Sequence, residues 1–153
     1  MAQNKISIIY ASTSGNVEIV VETVAEVLQA KGMTVTLNRA EQTAKEIFLE
    51  NDLFILATST MEHGAINPFY SRLLKEMQSL DLAGKKAAFI GLGDARYEPV
   101  YFNAGVEILK KGFLAAGGTE MFRTIKINGE PYKILETIVK KWAEDLEAVV
   151  SSL

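Results

Sequence analysis

Ile6-Ser7-Ile8-Ile9-Tyr10-Ala11-Ser12-Thr13-Ser14-Gly15-Asn16-Val17 is the stretch that decides the fold of this chain. Its first five residues form a nearly continuous apolar run, the pattern of a central parallel strand buried on both faces. Its last residue opens a different period. Val17, Val20, Val21, Val24, Val27 and Leu28 recur at helical spacing, with Glu18, Glu22 and Glu26 opposite and Gly32 at the end. A buried strand that feeds an amphipathic helix through a short polar loop is the first half of a βαβ unit.

Outward from that stretch the alternation repeats. Apolar runs at Ile6–Tyr10, Thr34–Leu37, Leu53–Thr58, Ala87–Gly91 and Met121–Ile127 predict five strands. Asn67-Pro68 reads as an N-cap followed by proline at the first helical position, with Phe69, Leu73, Leu74 and Met77 as the stripe behind it. Val106, Leu109 and Phe113 mark a helix stopped by Gly117-Gly118, and Leu135, Ile138, Val139, Trp142, Leu146 and Val149 form the last apolar face. A short helix is expected over Glu41–Phe48. Strands alternating with helices make a three-layer, doubly wound α/β fold around a five-stranded parallel sheet. The three most apolar strands belong in the middle, which gives the order 2-1-3-4-5. No repeat, linker or low-complexity tract divides the chain, so residues 1–153 are expected to be one domain. In such sheets ligands sit at the carboxyl ends of the strands, where the order reverses. The loops after strands 1, 3 and 4 are therefore the ones to read.

Composition narrows the chemistry. Cysteine is absent, which excludes thiol catalysis, thiolate zinc sites and cysteine-ligated clusters. The single histidine, His63, excludes a His-rich metal site, and no metal is expected. Sixteen Lys and Arg against 19 Asp and Glu give no footprint for nucleic acid. The apolar run near the N-terminus is too short for a signal peptide, and none is long enough to span a bilayer. A cytoplasmic monomer with no membrane contact is expected.

The first loop, Ser12-Thr13-Ser14-Gly15-Asn16-Val17, offers three hydroxyls and a helix N-terminus, a natural phosphate cradle. It has no lysine, so it is not a Walker A loop and suits a held phosphate better than a transferred one. The same residues also fit an ordinary capped helix start. The second loop, Ser59-Thr60-Met61-Glu62-His63-Gly64, runs from small hydroxyls to an apolar tip. Met61 there could pack on a flat ring or fold back onto the domain. His63 alone reads as an exposed loop residue. The third loop runs Gly91-Leu92-Gly93-Asp94-Ala95-Arg96-Tyr97-Glu98 and on to Phe102. Gly93-Asp94 is a turn signal.

Together these three loops resemble those of the flavodoxin family in its short-chain form, and the resemblance covers the whole chain. It implies one non-covalent FMN. Ser12, Thr13, Ser14, Gly15 and Asn16 would hold its phosphate. Tyr97 and Met61 would stack on the two faces of the isoalloxazine, with Ser59, Thr60, Glu62, His63 and Gly64 completing the second loop. Leu92, Gly93 and Asp94 would meet the pyrimidine edge, flanked by Phe102. Val17 stands where the family's loop closes with Thr or Ser, which removes a hydroxyl donor worth about 1.5–3 kcal/mol to a charged phosphate. The family often places glycine directly after Trp or Met in the second loop. Here Glu62 and His63 intervene, and a turn with positive φ would be strained at either. Pro99 and Val100 separate Glu98 from Tyr101, and Arg96 adds a positive charge to a region the family keeps acidic.

The resemblance implies a low-potential electron-transfer flavoprotein. It would shuttle single electrons between a pyridine-nucleotide-dependent flavodoxin reductase and a low-potential acceptor enzyme, with no catalytic residue of its own. Asp94, Glu62 and Glu98 should lower the potential of the hydroquinone couple, while Arg96 and a protonated His63 oppose them. That couple is expected to be less negative than in a strongly acidic flavodoxin, and to depend on pH through His63. An FMN-dependent reductase of quinones and a flavodoxin-like domain that has lost tight FMN binding are the alternatives. The neutral residues that end strands 1 and 3 disfavour a phosphoacceptor receiver, which needs acidic residues there.

Overall fold

The apolar runs pair as parallel strands in a computed structural model that describes residues 5–96 and 98–153. In chain order the main elements are β1 (Lys5–Ala11), α1 (Asn16–Ala30), β2 (Thr34–Arg39), a helical turn α2 (Ile47–Glu50) and β3 (Leu53–Ser59). They continue as α3 (Pro68–Met77), β4 (Lys86–Gly93), α4 (Ala104–Ala115), β5 (Thr119–Glu120), β6 (Ile125–Asn128) and α5 (Lys140–Ser151). The sheet runs β2-β1-β3-β4, and both β5 and β6 pair with β4. Period-two alternation divides each central strand between two cores. Ile6, Ile8 and Tyr10 of β1 pack with Val20, Val24 and Leu28 of α1 and with Trp142 and Leu146 of α5. Ile9 and Ala11 face the other way, toward Tyr70 and Leu73 of α3 and Leu109 and Phe113 of α4. The result is the three-layer fold and strand order expected from the sequence.

Three local expectations change. The strand predicted over Met121–Ile127 is two short strands that share one edge of β4. β5 meets Lys86 and Ala87, whereas β6 meets Ile90 to Gly93. Between them the chain leaves the ladder because Trp142 captures it. The indole N–H donates to the Arg123 carbonyl at 2.9 Å, and the Phe122 ring lies 5.7 Å from the Trp142 ring. The helix predicted over Glu41–Phe48 is a 3₁₀ turn at Ala40–Gln42 followed by α2. Arg72 of α3 donates to the Ala40 and Thr43 carbonyls, so a side chain satisfies groups that helical bonds would otherwise use. Finally, Leu135–Val139 winds as a π turn ahead of α5, which rotates Ile138 off the buried face and leaves it exposed.

Among the described residues no helix is long and apolar enough to cross a membrane.

Candidate functional site

The loops after β1, β3 and β4 meet in one crevice with two communicating halves. One half, about 210 Å³, is lined by Ser12, Thr13, Ser14, Asn16, Val17, Ser59 and Leu92, with Arg96, Gly129 and Glu130 at its edge. The mouth half, about 470 Å³, is lined by Met61, Glu62, His63, Glu98, Tyr101 and Phe102. Thr60, Gly93 and Asp94 line both. Gly15 and Gly64 lie outside both linings and shape the backbone, with φ of +90° and +78°. Tyr97 lies outside the described residues.

The inner half is closed by neutral hydrogen bonds. The Ser12 hydroxyl oxygen, buried, accepts from Gly15 N–H at 3.2 Å and Glu18 N–H at 3.3 Å. Ser12 is thus the side chain that caps α1. Ser59 and Thr60 do comparable work. Ser59 Oγ accepts from Asn67 Nδ2 at 2.9 Å, and Asn67 Oδ1 accepts the Phe69 N–H as the predicted cap of α3. Thr60 Oγ1 accepts the Gly105 N–H at 3.0 Å in the first turn of α4. A hydroxyl oxygen already used as an acceptor still has its own O–H to donate. The N–H groups of Asn16 and Val17, in the first helical turn, have no acceptor within the helix. The donors at the start of α1 therefore suit an anion; Asp94, Arg96 and Glu130 add charges of both signs to the same lining, and no lysine is among these residues. Val17 is 2% exposed and its methyls pack in the core with Val20 and Val21.

Backbone strain falls at the mouth. Residues Glu62–Gly64 form a 3₁₀ turn in which His63 takes φ +56°, so the strain expected at Glu62 or His63 falls on His63. Glu98 contacts it twice. One carboxylate oxygen accepts the His63 N–H at 3.0 Å, and the other lies 3.1 Å from Nδ1. A Cβ on Gly64 would sit 2.8 Å from the Tyr101 ring, so this loop is pressed against the 3₁₀ turn Pro99–Tyr101. The two residues that separate Glu98 from Tyr101 are this turn, and Val100 projects from it almost fully exposed. Below them Arg96 forks onto Asp94 through its backbone N–H, Nε and a terminal nitrogen at 2.7–3.2 Å. Those bonds, the guanidinium's first, hold the Asp94 carboxyl below its usual range.

Sequence reasoning missed two contributors. Glu98 was read only as a charge, and its partner lies 35 residues away in the other loop. The loop after β6 forms another wall. Asn128 Oδ1 accepts the Ala95 N–H at 3.0 Å, and Gly129 N–H donates to the Gly93 carbonyl at 2.7 Å. Asn128-Gly129 directly after a strand is a turn signal that would have found it.

A doubly wound sheet in this order, with a crevice where the loops after β1, β3 and β4 meet, is the flavodoxin-like arrangement. The Flavodoxin family model matches residues 8–142, and the chain belongs to that family. It is 29% identical to "Probable flavodoxin 2" of Bacillus subtilis over 128 residues, 83% of each chain. It is 29% identical to a flavodoxin of Maridesulfovibrio salexigens over 131 residues, 84% of this chain and 88% of that one. Among solved structures, a short-chain flavodoxin associated with a bacterial microcompartment superposes with a TM-score of 0.85 at 31% identity. That alignment covers 99% of this chain and all of the other. Flavodoxins bind FMN and carry electrons between reductases and acceptors.

Proposed function

We propose that this chain holds one FMN non-covalently in the two-part crevice and serves as a one-electron carrier. The observation that carries the reading is the division of the crevice: an inner half where the hydroxyls of Ser12, Thr13 and Ser14 meet the start of α1, and a mouth between two loops, joined at Thr60, Gly93 and Asp94. The hydroxyls of Ser12, Thr13 and Ser14, with the first-turn N–H groups of α1, bind the phosphate. Met61 covers one face of the ring system, and the family resemblance gives the other face to Tyr97. Asp94, Gly93 and Leu92 orient the pyrimidine edge, and Phe102 helps to exclude water beside it. When bound, FMN supplies the redox chemistry, taking up and releasing electrons singly.

The protein's part is to set the charge around it. Glu62, Glu98 and Asp94 place negative charge at the mouth and disfavour added negative charge there. Arg96 offsets Asp94 through the fork described above. The rim that a partner meets is therefore mixed in sign. The partners proposed are a pyridine-nucleotide-dependent flavodoxin reductase and a low-potential acceptor enzyme.

Stepwise photoreduction of purified protein mixed with FMN, followed by absorbance, tests the reading. Bound flavin that reduces in two resolved one-electron stages is expected. Protein that carries no flavin once unbound FMN is removed by gel filtration would overturn it. Rapid reduction by NAD(P)H without any partner reductase would replace the carrier with an FMN-dependent reductase.

A further inference from the structure

We propose that Glu98 is a positioning residue. By clamping His63 in a left-handed conformation it fixes the 61–64 loop in the shape that closes one side of the cofactor mouth, and through that loop it tunes the flavin.

His63 is a residue with a Cβ held at φ +56°, and Gly64 follows at φ +78°. Side chains other than glycine rarely adopt that region, because Cβ crowds the following carbonyl. Something must hold residue 63 there. Within the loop, Met61 N–H donates to the Ala65 carbonyl at 2.7 Å, and the N–H groups of Gly64 and Ala65 donate to Met61 and Glu62. The His63 N–H donates outside the loop instead, to Glu98. The second Glu98 oxygen takes the imidazole of the same residue, so one carboxylate fixes both backbone and ring.

The contact between the imidazole and the carboxylate is by itself a weak candidate for this work. The His63 side chain is 80% exposed and Glu98 is 36% exposed, and exposed pairs contribute little. The backbone bond is what distinguishes a clamp from a surface pair. It ties the second loop to the third across the mouth, at a point where both line the same cavity. The His63 ring also stands edge-on to Tyr101 at 6.4 Å, so the clamp joins a packed contact between the two loops.

The inference rests on the proposed FMN site, but part of its test does not. In the FMN-free protein, the backbone carbon shifts and the HN–Hα coupling of residue 63 report its φ directly. The left-handed signature should persist in Glu98→Gln, whose amide oxygen still accepts the N–H, and disappear in Glu98→Ala. A left-handed residue 63 in Glu98→Ala would overturn the clamp even if FMN never bound.

With FMN, Glu98→Ala should raise the dissociation constant about 3- to 10-fold, the range that one such hydrogen bond carries. It should also shift the midpoint potentials further than Glu98→Gln, which removes the same charge and keeps the acceptor. His63→Gly separates position from charge, because glycine enters the left-handed region unaided. In a His63→Gly background the extra effect of Glu98→Ala over Glu98→Gln should vanish. An equal effect in both backgrounds would make Glu98 a charge and nothing more.

Discussion

At the β1 end the groups that face the crevice are neutral: the hydroxyls of Ser12, Thr13 and Ser14, the first of them on two N–H groups, and the N–H groups of Asn16 and Val17 at the start of α1. In the loops after β3 and β4 charged side chains take over: Glu98 against His63 at the mouth, and Arg96 on Asp94 where the two halves join. On the proposed reading, the difference follows from what each end would do for FMN. A permanently charged phosphate needs donors fixed in place, and backbone amides and capped hydroxyls cost little reorganisation. A ring that gains charge needs surroundings whose field can be adjusted, and side-chain ions provide that. The ends should therefore answer differently to salt. Exposed charges a Debye length apart are screened, about 10 Å at 0.1 M, whereas short buried hydrogen bonds are not.

Removing Ser12 attacks the neutral end at its keystone and should have the largest effect. Ser12→Ala deletes a donor to the phosphate and the acceptor for Gly15 and Glu18. FMN should bind roughly 10- to 100-fold more weakly, as expected for a hydrogen bond to a charged group. Loss of the cap should reduce unfolding free energy by about 1 kcal/mol. Titration of FMN by fluorescence quenching at low and high salt checks both halves of the comparison. The ratio of variant to wild type should be the same at each salt concentration, and a ratio that collapses at high salt would show that this end works through charge.

Val17→Thr should act with two signs at once. The new hydroxyl restores the donor that closes the family's loop, and FMN should bind up to about 10-fold more tightly. Val17 is almost fully buried, however, so the FMN-free protein should lose on the order of 1 kcal/mol of stability for placing a hydroxyl among core methyls. Denaturant unfolding without FMN, beside the binding titration, reads the two effects separately. Tighter binding without destabilisation would mean that the Val17 position belongs to the cradle rather than the core.

The same contrast explains what could be read from the sequence. The strand order followed from burial, because β1, β3 and β4 are apolar on both faces and only the centre of a sheet accommodates that. The neutral end was also legible, since its donors lie in one short segment. What escaped depends on partners far along the chain. The split edge strand is set by Trp142 and the Arg123 carbonyl, 19 residues apart. Gly91 shows a subtler failure. It reads as the end of a strand and the first glycine of the third loop, yet a Cβ there would lie 2.5 Å from Asn103 Oδ1, so its smallness makes room for a buried side chain at the start of α4. The clamp at the mouth was invisible for the same reason, as Glu98 and His63 show no local pattern that couples them.

The smallest and most salt-sensitive effect should come from the charged end. Arg96→Gln leaves Asp94 without its guanidinium. Its carboxyl, held low by that side chain and by the Arg96 N–H, should rise toward its ordinary value. A carboxyl whose folded pKa is depressed adds stability that is present above its unfolded pKa and disappears as pH falls through the folded one. Wild type should therefore be more stable than Arg96→Gln near neutrality, and the two should converge in acid below the folded pKa of Asp94. With FMN bound, the uncompensated carboxylate should make the low-potential couple more negative, by on the order of a few tens of millivolts. Raising the salt should shrink that shift, because Arg96 is largely exposed. A carboxyl carbon titration of Asp94 followed by NMR, paired with potentiometry at two salt concentrations, measures both quantities. A potential that stays put while the Asp94 titration moves would place that carboxylate too far from the ring to tune it, and would leave Glu62 and Glu98 as the charges that do.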